Sequence, residues 1–206
     1  VGGFNIATTA MRLAFTIAGL PHKIEQLYWS HGFGRWLIDL QDKERIEEKA
    51  IELAERIKSN YQSGMEVYIV AKSAGCAIAL KALSLVPADS VLRVVLLAPA
   101  VSPEYRLTPA LRAVKERLFA FWSPNDAFIL GLGTTLFGTA DGAHTRSAGM
   151  IGFKTPTAID SETITLYKKL QQLKWQPSML MTLNFGDHQG SVMVPFLHNH
   201  VVPLLK

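Results

Sequence analysis

The sequence predicts an α/β protein with a three-layer α/β/α arrangement around a mostly parallel central sheet. Three observations carry that expectation. Short apolar, β-branched runs alternate with amphipathic segments along the whole chain. Val91 to Leu97 is almost wholly apolar, as befits an inner strand covered on both faces. The run that begins at Val67 turns directly into a helix of small residues through Ala71-Lys72-Ser73-Ala74-Gly75.

The elements follow in order. Asn5 to Leu20 reads as a helix, stopped by Gly19-Leu20-Pro21. Ile24 to Trp29 is a short strand candidate, and Ser30-His31-Gly32-Phe33-Gly34 is a loop. A long helix is expected from Asp42 to Lys58. Ile46, Ala50, Ile51, Leu53, Ala54 and Ile57 form its apolar side, and Glu, Lys and Arg the other. Asn60 to Gly64 turns the chain into the central strand. Val91 to Leu97 is the next strand, Pro109 to Lys115 a short helix and Arg117 to Trp122 a third strand. A glycine-rich loop is expected from Gly131 to Phe153, polar at Asp141, His144 and Arg146, in the place of a lid or of a packed Ω-loop. Ser161 to Leu173 reads as a helix and Ser178 to Asn184 as the last strand. Val192 to Leu205 reads as a closing helix interrupted at Pro195 and Pro203.

The strand-to-helix turn at Ser73 is the chemical focus. Small residues two before and two after the serine let strand and helix pass close. Such a turn holds the hydroxyl out at the carboxyl end of the sheet. The helix that starts behind it favours negative charge there. The pattern resembles the nucleophile elbow of the α/β-hydrolases, Gly-x-Ser-x-Gly, with Ala71 in place of the first glycine. Some small lipases of that superfamily are similar in having alanine there. The order Ser73, then Asp126 after a later strand, then His188 after the last one is the order of the family's triad. Asn184-Phe185-Gly186-Asp187-His188-Gln189-Gly190 looks like its Gly-x-His-Gly region, with Asp187 and Gln189 as departures. Asp141 is the second candidate acid.

The resemblance implies a serine hydrolase that cleaves a carboxylic ester through an acyl-enzyme on Ser73, with His188 as base and Asp126 orienting it. It also implies an oxyanion hole built from the Ala74 amide and that of Gly3 or Phe4. Only the Val1-Gly2-Gly3-Phe4 stretch, not His31-Gly32-Phe33-Gly34, precedes the elbow by a helix, a strand and a further helix. The strand feeding that oxyanion loop is then expected before Val1, so the hydrolase fold would lack its N-terminal strands in this chain. The same triad also serves acyl transfer, thioester cleavage or peptide cleavage. Lys72 beside the nucleophile leaves room for a non-catalytic, hydrolase-like binding protein.

Composition narrows the classes. The 206 residues, 49% hydrophobic and 18% charged, fit one globular domain over residues 1–206. The net charge of +4 and pI near 9.2 come from scattered Lys and Arg, without a run or an aromatic-basic stripe. No nucleic-acid partner is expected. A small-molecule or lipid-like ester is the expected partner, and the oligomeric state is not written in the sequence. The apolar segment from Ala10 to Leu20 is too short for an integral membrane segment, and Arg12 interrupts it. The lone Cys76 cannot form an internal disulfide, which agrees with a cytoplasmic location. The histidines lack partners at ligand spacing, and there is no phosphate loop or dinucleotide fingerprint, so neither metal nor cofactor is expected. His31, His22, His198 and His200 read as loop or surface groups.

Overall fold

Among the described residues four strands make one sheet. The computed structural model describes residues 6–29, 42–126, 139–157 and 160–206. Within them β1 (Tyr68–Lys72), β2 (Val91–Leu97), β3 (Val114–Trp122) and β4 (Leu170–Lys174) lie side by side in chain order, all parallel. The register sets Ile69 beside Val94, Val94 beside Leu118 and Leu118 beside Leu170. The neighbouring row runs Val70, Val95, Phe119, Gln171. Successive side chains point to opposite faces, so the two rows feed two separate cores.

Helices cover both faces. Ile69, Val94 and Leu118 join a core with α2 (Lys43–Gln62) and α3 (Gly75–Leu83). Val95, Leu97, Phe119 and Phe121 join another with α1 (Ile6–Ile17) and the C-terminal segment. Gly19, at φ +62°, lets the chain reverse behind α1. Asp42 caps α2, its side chain accepting from the Arg45 N–H at 2.9 Å. Ile46, Ala50, Ala54 and Ile57 bury the inner face of α2, while Ile51 is exposed. Three small helices also lie among the described residues: α4 (Thr108–Ala113), α5 (Ala148–Ile151) and α6 (Ser161–Tyr167). No helix among the described residues is long and apolar enough to cross a membrane.

The C-terminal third departs from the expected elements. The helix that starts at Ser161 stops at Tyr167, and Leu170–Lys174 is β4, the last strand. Its Gln-rich sequence favours helix intrinsically, but pairing with β3 overrides that preference. The Gln172 amide also clasps Phe153, accepting from its N–H at 2.6 Å and donating to its carbonyl at 2.9 Å. In place of the strand expected over Ser178 to Asn184, residues 177–182 form a 3₁₀ turn that Pro177 opens. Leu183 follows in the left-handed region, which ends the turn. Residues 194–205 do form a broken helix. Val194–Phe196 is α-helical, Leu197–Val201 widens into a π turn and Val202–Leu205 tightens to 3₁₀. Pro195 and Pro203, without N–H groups, sit in the first turns of the two flanking pieces. Ile24 to Trp29 forms no ladder, since no described strand lies beside it.

Candidate active site

The site grows from the carboxyl ends of the strands. β1 ends at Lys72, and Ser73 takes φ +55°, in the left-handed region that a serine rarely occupies. Three backbone hydrogen bonds hold it there. Its N–H donates to the Leu97 carbonyl at 2.9 Å, and its carbonyl accepts from Cys76 at 3.0 Å and Ala100 at 3.2 Å. Gly75 matters less for space than the sequence pattern implies. A Cβ on Gly75 would meet Trp29 Nε1 at 3.6 Å, an ordinary contact. Ala74 is fully buried, and its N–H has no acceptor among the described residues.

Asp126 closes the turn after β3, its N–H donating to the Ser123 carbonyl at 3.2 Å. His188 comes from the loop between β4 and the C-terminal segment. Gly186, at φ +83°, lets that loop fold onto the Asp126 turn. A Cβ there would sit 2.8 Å from Asn125 Nδ2 and 2.9 Å from Ser123 Oγ. His188 Nδ1 lies 2.7 Å from Asp126 Oδ2, and His188 Nε2 lies 3.1 Å from Ser73 Oγ. All three side chains are buried. With Nδ1–H donating to the carboxylate, Nε2 carries the lone pair and can accept a hydrogen bond from the serine hydroxyl.

Burial favours a neutral imidazole. Burial pushes the His188 pKa below its ordinary 6.5, the Asp126 hydrogen bond pulls it up, and the Lys72 ammonium pushes it down again. Burial also draws Lys72 down to about 8, against the pull of Asp126 and Asp187. Lys72 Nζ donates to Gln189 Oε1 at 3.1 Å. That contact joins the residue before the candidate nucleophile to the residue after the histidine. Nothing in the sequence pattern pairs the two. Cys76 is wholly buried, and burial raises its thiol pKa strongly, so it is an inert packing group.

The other expected residues fall elsewhere. Asp141 Oδ1 accepts from the Ser102 N–H at 2.9 Å and from Thr139 Oγ1 at 2.5 Å, with no bond to His188. The described end of the 131–153 loop is pinned by main-chain bonds from Ala140 to Ala100, Ala148 to Val101 and Gly149 to Pro99. Gly3, Phe4 and His31, and residues 127–138 of the acid-side loop, lie outside the described residues. His198 is exposed. His200 stacks on Phe196, and His22 stacks on Tyr68 with its Nε2 2.8 Å from the Leu205 carbonyl oxygen.

The sequence motif includes Gly190 but does not show why a glycine stands there. The carboxamide of Asn184 and the carboxylate of Asp187, which accepts from the Gly190 N–H at 2.6 Å, fill the place of a Cβ there. Gly190→Ala should therefore displace the loop that carries His188. We expect about 1–3 kcal/mol of overpacking cost and a lower rate of reaction with a serine-directed phosphonate, read by thermal melting and labelling kinetics. No protein-family model, curated protein or solved structure matches this chain.

Proposed function

We propose that this protein is a serine hydrolase of carboxylic esters, with Ser73 as nucleophile, His188 as general base and acid, and Asp126 as the group that orients the imidazole. The observation that carries this reading is the chain of two hydrogen bonds, 3.1 Å and 2.7 Å, from Ser73 Oγ through His188 to Asp126. A hydroxyl is a weak nucleophile until a base takes its proton, and a neutral imidazole held in one tautomer is suited to that work. Ser73 Oγ bonds to the acyl carbon as its proton passes to His188 Nε2. The leaving alkoxide takes that proton, and water then releases the acyl group by the reverse path. The unengaged Ala74 amide at the start of α3 supports its assignment as one oxyanion donor. Gly3 or Phe4 remains the proposed source of the second.

The architecture also supports membership of the α/β-hydrolase fold with its three-layer arrangement. Its four parallel strands lie in chain order, and the serine, acid and histidine follow β1, β3 and β4. An apolar, lipid-like ester is the favoured substrate. Met181, Leu183 and Phe185 stand exposed on the segment leading to His188. The test is labelling with a fluorophosphonate, which needs an activated serine and no knowledge of the substrate. We expect one adduct that maps to Ser73 by mass. An unlabelled, folded protein would refute the proposal.

The pH profile offers a further check. Because His188 must be neutral to act, kcat/KM for an aryl ester should rise through a midpoint below pH 6.5. The Lys72 charge disfavours the imidazolium, so Lys72→Met should move that midpoint to higher pH. A midpoint that stays in place would show that Lys72 does not act on His188.

A further inference from the structure

Among the described residues, two side-chain hydrogen bonds join the turn at Ser73 to the loop that carries His188. One links Ser73 Oγ and His188 Nε2 at 3.1 Å, and in the other Lys72 Nζ donates to Gln189 Oε1 at 3.1 Å. Lys72 and Ser73 are neighbours in the chain, and so are His188 and Gln189. The bonds are therefore adjacent rungs between the same two segments. The other hydrogen bonds of the loop run elsewhere. Asn184 and Asp187 accept from the N–H groups of Gly186 and Gly190 inside the loop. Trp175 Nε1, just past β4, donates to the Asn184 carbonyl at 2.9 Å. His188 Nδ1 binds the loop to Asp126, after β3. Only the two rungs reach the end of β1.

The rungs differ in how long they last in the proposed reaction. The serine rung needs a proton on Oγ. Once Oγ is bonded to the acyl carbon, it is an ester oxygen with no hydrogen to give Nε2. His188 must nevertheless stay in place, because it now takes a proton from water. The Lys72–Gln189 rung contains neither reacting atom and persists through this stage. At neutral pH its donor is an ammonium, and a charged donor makes the stronger kind of hydrogen bond.

We propose that Lys72 and Gln189 are positioning residues that hold His188 against the Ser73 turn during deacylation, when the serine rung is absent. The proposal rests on the catalytic reading of Ser73, His188 and Asp126. In this step the oxygen of water bonds to the acyl carbon while one of its protons passes to His188 Nε2. The bond from that carbon to Ser73 Oγ then breaks, Oγ takes the proton back and the carboxylic acid departs. A loop that drifts from the turn slows the step. Acylation starts with the serine rung in place and tolerates the loss of the other.

The test is steady-state hydrolysis of p-nitrophenyl acetate by the whole protein at about pH 7.5, with intact-mass measurement of the acetyl-enzyme. Nitrophenolate leaves readily, so deacylation limits kcat. Gln189→Leu removes the acceptor, keeps the Lys72 charge and changes an exposed side chain. We expect kcat to fall at least about fivefold, KM to fall in parallel and kcat/KM to stay within about twofold, with acetyl accumulating on Ser73. Lys72→Met removes the donor and should give the same split, and the double variant should lose no more than either single one. Gln189→Glu restores an acceptor and should restore kcat. An unchanged kcat in Gln189→Leu would overturn the proposal. So would kcat/KM falling as far as kcat, because the rung would then serve acylation equally. A lower melting temperature without the kinetic split would overturn it too and make the rung a scaffold contact. A wild type that takes no fluorophosphonate at Ser73 would refute the catalytic reading itself, whereas a labelled wild type with an unsplit Gln189→Leu would refute this proposal alone.

Discussion

Ser73→Ala should lower kcat/KM for a p-nitrophenyl ester by on the order of 10⁴-fold while leaving the melting temperature close to that of the wild type. The large kinetic effect follows from the chemistry. Without Oγ no acyl-enzyme forms, and what remains is water attack at a site that still binds and polarises the ester. The small effect on stability follows from the structure. Among the described residues Ser73 Oγ has one partner, His188 Nε2, and the three hydrogen bonds that hold the left-handed turn are all main-chain. Alanine meets the same steric cost at φ +55° that serine already bears. Steady-state kinetics and a circular-dichroism melt on the same preparation test both halves. Turnover above about a tenth of the wild-type value would remove Ser73 from the reaction. A collapsed melt would show instead that the hydroxyl is a structural pin.

The sequence made β1, β2 and the turn at Ser73 legible because their signals are local. An apolar β-branched run, an abrupt stop and a helix of small residues need no distant contact to be read. The placement of Asp126 and His188 near Ser73 was legible for a different reason. In an open parallel sheet the loops at the carboxyl edge are brought together by topology alone. β4 was not legible. Leu170 to Lys174 carries two glutamines and a lysine, a helix-compatible string, and becomes a strand through pairing with β3 and the Phe153 clasp on the Gln172 side chain. Those partners are 19 or more residues away in the chain. Misreading it shifted the last strand onto residues 178–184, where Pro177 opens a 3₁₀ turn instead. The same limit hid the Lys72–Gln189 contact, which spans 117 residues. Ile24 to Trp29 shows the converse. Its alternation is strand-like, as the pattern implies, but a strand is defined by a neighbour, and none lies beside it among the described residues.

Asp126→Asn should reduce kcat by on the order of 10³–10⁴-fold at neutral pH, whereas Asp141→Ala should leave it within about threefold. The carboxylate of Asp126 accepts the Nδ1–H of His188 and so fixes the proton on the nitrogen remote from Ser73. An asparagine amide can donate as well as accept. The imidazole can then carry its proton on Nε2, where it cannot take one from the serine. The same change removes the pull that raises the pKa of His188, so the imidazolium formed during attack loses its counter-charge. Both effects act on the transition state and should appear in kcat, with little change in KM. Asp141 does different work. It accepts from the Ser102 N–H and the Thr139 hydroxyl, and its loss should cost about 1 kcal/mol of stability without reaching the imidazole. The reverse pattern, with Asp126→Asn active and Asp141→Ala dead, would transfer the role of the acid to Asp141 and would require the His188 loop to move in the working enzyme. Equal and small effects from both would mean that His188 acts without a carboxylate. In that case, the 2.7 Å bond to Asp126 would be a structural contact between two buried loops rather than part of the machinery.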